Sequence, residues 1–383
     1  MIDRAVSTVS DLGARNANLS DLAEVLQRRY ARRQDIVASA RSIHAVDGNL
    51  IVDRAGDPII TDDGVTSPAA EFVPTEVCDE GIAAKLDIPL RYLRRMRRDN
   101  IGLYDKNVNG WLESDTRKFM VRCLRASDGG PGVARALVSD RYGIIDDFDI
   151  LTATLDGVRQ ADVRAEVESC DLTDRRMYLR ITCDGIRVMA PALLAGYRSP
   201  FTGETGADNP VISAGAIIGN SEVGSGAFTI TPSLRVRVCR NGVTITRDAR
   251  RYVHLGHRMD EGEIEWSADT LRKCLDVITG KARDSIAAFV TREYAERALR
   301  EIEGQAGRPV EQPDETITTV CKRLKISDEH RAGILNHFIR GGAVTAGGVL
   351  HAVTSFAQTL PNADDAYAME AQGLEAMRIA AGA

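Results

Sequence analysis

The spacing of apolar positions divides the chain into a helical start, a β-rich middle and a helical end. Apolar residues recur at helical spacing over residues 20–40, and again from Thr75 to Arg98 with a break at Pro89. A proline ends the helix before it, because its ring clashes with the preceding turn. The pattern therefore predicts an early helix followed by a helix pair.

In the middle of the chain, short β-rich segments follow one another, bounded by turn residues. They are residues 117–126, 133–139, 162–170, 175–183, 211–219, 226–239 and 243–253. Helical spacing then returns in residues 267–303, 314–324, 328–339 and 345–359. This order predicts an α+β fold, with a mostly antiparallel β core, an N-terminal helix pair and a C-terminal helical region.

The length of 383 residues exceeds that of one average domain, so the chain should divide into two or three packing units. Residues 1–70 end in a Gly- and Asp-rich stretch and are predicted to form an N-terminal appendage. Residues 71–262 are predicted to form the α+β core, and residues 263–383 the C-terminal helical region.

A hairpin is the strongest local prediction, because Asn241-Gly242 lies between two alternating segments. A two-residue loop would place Val238 opposite Ile245. The face predicted to pack inward carries Leu234, Val236, Val238, Val243 and Ile245. The other face carries Arg235, Arg237, Thr244 and Thr246, a strip suited to phosphate oxygens.

Charge is unevenly distributed along the chain. The formal net charge is −6, yet residues 226–258 hold seven arginines against one aspartate, and residues 85–98 are also rich in arginine. An acidic protein with basic segments can hold a polyanion locally. The predicted nucleic-acid-binding residues are Arg235, Arg237, Arg247, Arg250, Arg251, Arg94, Arg95 and Arg98. The alternative is that these side chains form solvated faces and pair with the protein's own carboxylates.

The stretch ALVSDRYGIIDDFDIL, residues 136–151, places several carboxylates close together. With Asp146 as the N-cap of a helix, Asp149 falls at the third helical position, as in a capping box. A magnesium or manganese site is the alternative, and it would need carboxylates that converge from separate elements. The residues available to such a site are Asp140, Asp146, Asp147 and Glu222.

Two further motifs admit a functional interpretation. Residues 80–96 resemble a helix-turn-helix in their spacing, with Tyr92, Leu93 and Met96 expected to face the core. Cys239, His254 and His257 offer three ligands, one fewer than a closed zinc site requires. The sequence predicts no catalytic residue, metal or cofactor.

The seven cysteines are scattered singly, which is typical of a reducing compartment. No apolar run approaches the roughly 18–20 residues that a membrane span requires. We therefore expect a cytoplasmic protein with no membrane segment.

Several motifs recur in an order that resembles a known family. They are IPLRYLRRM, NVNGWL, RALVSDRYGIIDDFDIL, GNSEVGSGAF, VCRNG, YVHLGH and VLHAVTSFAQTLPNADDAYAMEAQG, within residues 70–375. Their order resembles the phage/plasmid-like protein family catalogued as domain of unknown function 932. The resemblance implies carriage on a phage, prophage or plasmid, and it assigns no activity and no catalytic residue.

These observations favour a non-catalytic nucleic-acid-binding protein, for example a single-strand annealing or recombination accessory factor. The expected partner is nucleic acid, with single-stranded DNA favoured, and we expect a homo-oligomer. Aromatic residues make up only 5% of the chain, so contacts to the phosphate backbone should dominate. The alternatives are a divalent-metal-dependent nucleic-acid enzyme and a protein-binding antagonist of host defence.

Overall fold

The computed structural model describes residues 8–9, 13–62, 64–127, 129–238, 242–252, 262–263 and 267–382. In the first half of the chain the elements are β1 Thr8–Val9, β2 Ala14–Ala17, α1 Leu19–Arg32, β3 Arg33–Ser39, β4 Ile43–Val46, β5 Asn49–Val52, β6 Ile59–Thr61, β7 Gly64–Thr66, β8 Ala70–Pro74, α2 Glu76–Leu86, α3 Leu90–Asp99, α4 Ile101–Ser114, β9 Lys118–Leu124, β10 Gly132–Ser139, α5 Asp147–Gln160, β11 Glu166–Leu172 and β12 Met177–Met189.

In the second half the elements are α6 Pro191–Leu194, β13 Val211–Asn220, β14 Phe228–Val236, β15 Gly242–Thr244, β16 Arg250–Tyr252, β17 Gly262–Glu263, α7 Ala268–Phe289, α8 Arg292–Ala306, α9 Pro313–Leu324, α10 Asp328–Gly341, α11 Ala346–Ala357, α12 Ala363–Ala371 and α13 Gly373–Ala381. The α+β class is confirmed. Within the described ranges, no helix combines the length and the apolar composition that a membrane span requires.

A seven-stranded sheet has the order β17-β3-β9-β10-β8-β5-β4 and is antiparallel except where β10 meets β8. Helices α2, α3 and α4 pack on it through one core, in which Leu93, Tyr104 and Phe119 are buried. Asn109 of α4 bonds both the backbone N–H and the carbonyl of Ala45, at 2.7 and 2.9 Å. This contact covers the edge strand β4, which would otherwise expose unpaired backbone groups.

An eight-stranded antiparallel sheet has the order β1-β2-β11-β12-β13-β14-β15, and β16 pairs with the far end of β14. One face of this sheet packs on α5, α7 and the C-terminal helices through Leu179, Ile218 and Leu234. The other face carries Tyr178, Thr229 and Arg235, and we call it the polar face. Helix α12 lies across part of the polar face, since Tyr178 and Tyr367 stack with ring centroids 4.0 Å apart.

Several predicted elements differ in the structure. The helix predicted over residues 20–40 ends at Arg32, and β3 follows because its side chains are buried on both faces of the sheet. Helix α4 was not predicted, so the predicted helix pair is a run of three helices. Glycine and asparagine lower the helix propensity of α4, but burial of Tyr104, Val108 and Leu112 on one stripe stabilises it. The division of the chain at residues 70 and 262 stays a prediction.

The predicted hairpin is half right. All five residues predicted to pack inward are buried, from Leu234 to Ile245. The predicted register is wrong, because Gly242 pairs with Arg235 and Val243 pairs with Leu234. Gly242 therefore belongs to β15 rather than to a tight turn, and Asn241 lies outside the described residues. The strand predicted over residues 243–253 divides into β15, a short 3₁₀ helix and β16.

Candidate functional site

The arginines predicted on α3 are engaged with neighbouring carboxylates. Arg94 Nη2 lies 3.0 Å from Oε1 of Glu80. The exposed Arg95 and Arg98 both meet Asp99, at 3.8 and 2.8 Å. Exposed pairs of this kind contribute little to stability, so they can exchange with another anion. Helices α2 and α3 follow one another with a break at residues 87–89, and the interpretation of this segment as a DNA-binding helix-turn-helix stays a prediction.

The burial predicted for α3 is confirmed in part. Leu93 and Met96 face the core as expected. Tyr92 does not, because 44% of its surface is exposed. The ring therefore lies on the surface of α3, next to the exposed arginines.

The arginines of the predicted basic hairpin also meet carboxylates. The pairs are Arg235 with Glu168, Arg237 with Asp184 and Arg247 with Glu301. The Arg235 pair is the most enclosed, at 2.5 Å and with only 13% of the arginine side chain exposed. These three arginines match the alternative in which the basic residues pair within the protein.

Arg235 and Arg237 line a cleft of about 290 Å³ on the polar face. The cleft is also lined by Glu166, Glu168, Thr182, Asp184 and Ser213. Three carboxylates then surround two guanidinium groups, so a phosphate entering the cleft would meet a net negative charge. The structure places Arg235 and Arg237 together, as predicted, in surroundings that disfavour a phosphate backbone.

Arg250 and Arg251 have different surroundings on β16. Arg251 is exposed and pairs in register with Thr229, which places it on the polar face, the face of Arg235. Of the two predicted arginines on β16, Arg251 therefore shares the face of Arg235. Arg250 points to the opposite side, where its Nη1 donates to Oγ of Ser285 at 3.2 Å.

A lysine completes this edge of the sheet. Nζ of Lys281 on α7 lies 4.3 Å from the ring centroid of Tyr252, the last residue of β16. Arg250, Arg251 and Lys281 make no ion pair with a carboxylate in the part of the chain that the structure describes. We call these three residues the basic edge. The positive charges of these three side chains are therefore available to an external anion, although the protein as a whole is acidic.

A largely buried cluster of charged and polar side chains forms where two motifs meet, and we call it the charged cluster. The two motifs are the acidic segment, residues 136–151, and the glycine-rich loop, residues 219–228. The members of the cluster are Arg29, Arg33, Arg122, Arg135, Asp35, Asp146, Asp147, Asp149, Asn220 and Glu222. Arg122 bonds both oxygens of Asp35, at 2.7 and 3.0 Å, and Oδ1 of Asp146 at 2.5 Å. The cluster therefore joins β3 and β9 of one sheet to the start of α5.

Asp146 occupies the predicted N-cap position of α5, but its side chain makes no capping hydrogen bond. Oε2 of Glu222 instead accepts from the backbone N–H of Asp147 at 2.8 Å, and Oε1 of Glu222 pairs with Arg135. Glu222 thus supplies the anion at the helix N-terminus, where the helix dipole favours negative charge. Asp146 is free to bond Arg122, which the local sequence could not indicate.

The pKa values of the carboxyl groups in the charged cluster are shifted in different directions. Burial alone would raise the pKa of Glu222, but Arg135, Arg122 and Arg29 hold it down at about 2. Burial and the negative charge of Glu222 raise the pKa of Asp147 well above its usual value. Burial, with the adjacent carboxylate of Asp146, also raises the pKa of Asp149 to about 7. Glu222 therefore carries its charge at neutral pH, whereas the pKa of Asp147 is shifted in the opposite direction.

We expect Asp149→Asn to stabilise the protein at about pH 8 and to have little effect at about pH 4. In the unfolded chain this carboxyl ionises near about pH 3.9, whereas the native carboxyl keeps its proton up to about pH 7. Between these two values the contribution of this carboxyl to the stability of the wild type falls as pH rises, and asparagine removes that contribution because it cannot ionise. Thermal midpoints of both proteins across this range test the prediction, with the exposed Asp156→Asn on the same helix as control. A midpoint difference that does not change with pH would contradict it.

The carboxylates proposed for a metal site do converge, but their oxygens are occupied by arginine and backbone groups. Asp146, Asp147 and Glu222 are bonded within the charged cluster, and Oδ1 of Asp140 accepts from the Ser139 hydroxyl at 3.3 Å. Among the described residues, no group of three or more His, Cys, Asp and Glu could hold a metal ion. Cys239, His254 and His257 lie outside the described residues.

Two cations beside the eight-stranded sheet were not singled out in the sequence. Nothing in the local sequence of α7 sets Lys281 apart from the other charged residues of that helix. Its distinguishing feature is the contact with Tyr252, which depends on the fold. Arg176 lies just before β12 and packs against the glycine-rich loop. The unusual glycine content of that loop was the available signal, because a glycine can leave room for a bulky neighbour.

No protein-family model matches the chain, and searches of the curated proteins and of the solved structures found no match. The resemblance to the phage/plasmid-like family therefore stays a prediction. The functional argument depends on the geometry of the charged and polar groups.

Proposed function

We propose that the protein binds nucleic acid without catalysing a reaction, and that the basic edge contacts the phosphate backbone. The observation that supports this proposal is the absence of ion pairs at Arg250, Arg251 and Lys281 in the described residues. Most of the other predicted arginines already have carboxylate partners. A cation without an internal partner gains most from an external phosphate, because no existing pair has to be broken.

The proposed contact is independent of sequence, since arginine and lysine that reach phosphate oxygens do not read base edges. Single strands are the favoured partner, in keeping with a role in annealing or recombination and with assembly as a homo-oligomer. The contribution of Arg94, Arg95 and Arg98 depends on exchange of their exposed partners Glu80 and Asp99 for phosphate.

The test is the salt dependence of binding. Replacing Arg250, Arg251 and Lys281 together by Gln should weaken binding of every oligonucleotide alike, because each contact displaces counterions from the strand. The slope of log affinity against log salt should fall by about two units, from a coefficient of about 0.7 per phosphate for single strands. Anisotropy of labelled single-stranded and double-stranded oligonucleotides, with and without magnesium, measures this slope.

Helix α7 offers a control with the same change of charge. Arg272 and Lys273 both pair with Asp269, and Arg283 pairs with Asp284. Replacing these three cations by Gln should leave the slope nearly unchanged. An equal loss in both triple variants would show that overall charge, and not the basic edge, drives binding. No binding of either oligonucleotide at low salt would overturn the proposal, and magnesium-dependent cleavage would establish the enzyme alternative.

A further inference from the structure

The guanidinium group of Arg176 lies in a gap that two glycines leave open beside the polar face. A Cβ on Gly226 would come within 2.9 Å of Nη1 of Arg176, and a Cβ on Gly219 within 3.1 Å of Nη2. The Tyr178 ring lies on one side, with its centroid 5.4 Å from Cζ of Arg176. Any larger residue at either glycine would push the guanidinium out of this position.

The hydrogen-bond donors of Arg176 are mostly unused. Its Nη2 donates to the carbonyl of Ala227 at 3.4 Å, which is a long contact. Its Nε is buried and has no partner. Arg176 makes no ion pair within the described ranges, and the side chain has five N–H donors to satisfy. A charged donor that is buried without a partner is costly, so an anion at this position would stabilise it.

Other groups on the polar face converge on the same place. Gly219, Thr229 and Arg251 stand in one cross-strand row, because β13, β14 and β16 pair in that register. Neighbouring strands lie about 4.8 Å apart, so Arg251 is about 10 Å from Gly219 across the sheet. The Thr229 hydroxyl stands in this row and donates to the carbonyl of Gly219 at 3.3 Å, a long contact that it can exchange for a phosphate oxygen. Two guanidinium groups and a hydroxyl form a suitable set of donors for a phosphate group.

One carboxylate on this face belongs to Asp364, and it is engaged with Tyr178. Its Oδ1 accepts from the Tyr178 hydroxyl at 2.8 Å, at the far end of the ring that lies beside Arg176. The neighbouring Arg175 pairs with Glu80, away from the gap. Asp364 and Glu80 therefore both have partners other than Arg176.

We propose that Arg176, Thr229 and Arg251 form a phosphate-binding site on the polar face, with the Arg176 guanidinium preset between Gly219 and Gly226. Where the phosphate belongs to a nucleic-acid backbone, the inference rests on the proposed function and extends the basic edge onto the sheet through Arg251. A free phosphate has the same chemistry, and the experiment distinguishes the two sources.

The first measurement uses inorganic phosphate alone. We expect phosphate to raise the thermal midpoint of the wild type above its value in chloride at equal ionic strength. Arg176→Gln should weaken phosphate binding by about tenfold or more, as expected for loss of a charge-assisted hydrogen bond. Arg237→Gln is the control on the same face, because Arg237 already pairs with Asp184. No rise in midpoint, or an equal rise in Arg176→Gln, would overturn the site.

A second variant tests position rather than charge. Gly226→Ala keeps every charge but displaces the flexible end of Arg176, so it should weaken phosphate binding as Arg176→Gln does. Gly185→Ala is the matched control, because its Cβ would meet only Sγ of Cys183, at 3.9 Å. Phosphate binding that is unchanged in Gly226→Ala would contradict the preset position of the guanidinium.

The oligonucleotide arm separates this inference from the proposed function. Arg176→Gln should lower the salt slope by about 0.7 units for a single strand if the backbone occupies the site. Phosphate binding without oligonucleotide binding would keep the site and overturn the proposed function. Oligonucleotide binding with an unchanged slope, and no phosphate binding, would keep the proposed function and overturn the site.

Discussion

Arg122→Met is expected to lower the free energy of unfolding by about 3–5 kcal/mol. Arg122 is almost completely buried and bonds Asp35, Asp146 and the carbonyl of Glu222. Methionine fills much of the same volume but leaves Asp35 without the Arg122 cation and Asp146 with Arg33 alone, at 3.4 Å. Removing one partner of a buried network is costly, because the remaining charges cannot be solvated.

Urea unfolding of the variant measures this loss, with Arg98→Met as the control. Arg98 makes an exposed pair with Asp99, so its replacement should change the free energy of unfolding by less than about 1 kcal/mol. Adding Asp35→Asn and Asp146→Asn to Arg122→Met should recover part of the loss, since the uncompensated charges are then gone. A cost for Arg122→Met as small as that of the control would mean that the bonds of Arg122 to Asp35 and Asp146 contribute little to the stability of the fold.

The alternation of apolar and polar residues predicted which apolar side chains are buried, but it did not predict the ion-pair partners of the charged ones. Alternation along residues 234–245 identified the five buried apolar side chains of the hairpin, because burial depends on which face of a strand a residue occupies. It missed Thr244, which is buried on the other face where it bonds Glu370. The same pattern could not show that Arg235 meets Glu168, a residue 67 positions away. Nor could it show that Asp35 lies beside Arg122, across 87 positions. Such pairs depend on how strands are ordered in the sheet, which periodicity does not encode.

The acidic motif shows the same limit at the candidate site. Capping geometry correctly predicted where α5 begins, since local spacing sets a helix start. The function of each carboxylate followed from distant residues: Asp146 bonds Arg122, and Glu222 bonds the backbone of Asp147. The basic edge likewise could not be predicted from local sequence, because it depends on the contact between Tyr252 of β16 and Lys281 of α7.

Gly242→Val is expected to destabilise the protein by about 3 kcal/mol, and Gly242→Ala by nearly as much. The reason is space, since Gly242 lies in β15 and not in a turn that needs a positive φ. A Cβ here would lie 2.1 Å from Oε1 of Glu370 and 2.6 Å from Nη1 of Arg180. These two side-chain ends could normally move aside. Here they are buried and bond each other at 2.8 and 3.0 Å, and Thr244 also bonds Glu370.

Chemical unfolding of a double-mutant cycle tests this explanation. The cycle comprises the wild type, Gly242→Ala, Glu370→Ala and the variant with both changes. Gly242→Ala should cost less in a Glu370→Ala background than in the wild type, because truncating Glu370 makes room for the new methyl group. Gly280→Ala on α7 is the control, since a Cβ there meets nothing within 4 Å. That change should stabilise the protein by about 0.5–1 kcal/mol. A Gly242→Ala variant as stable as the wild type would show that the Arg180 and Glu370 side chains can move away from a Cβ at residue 242 without loss of stability.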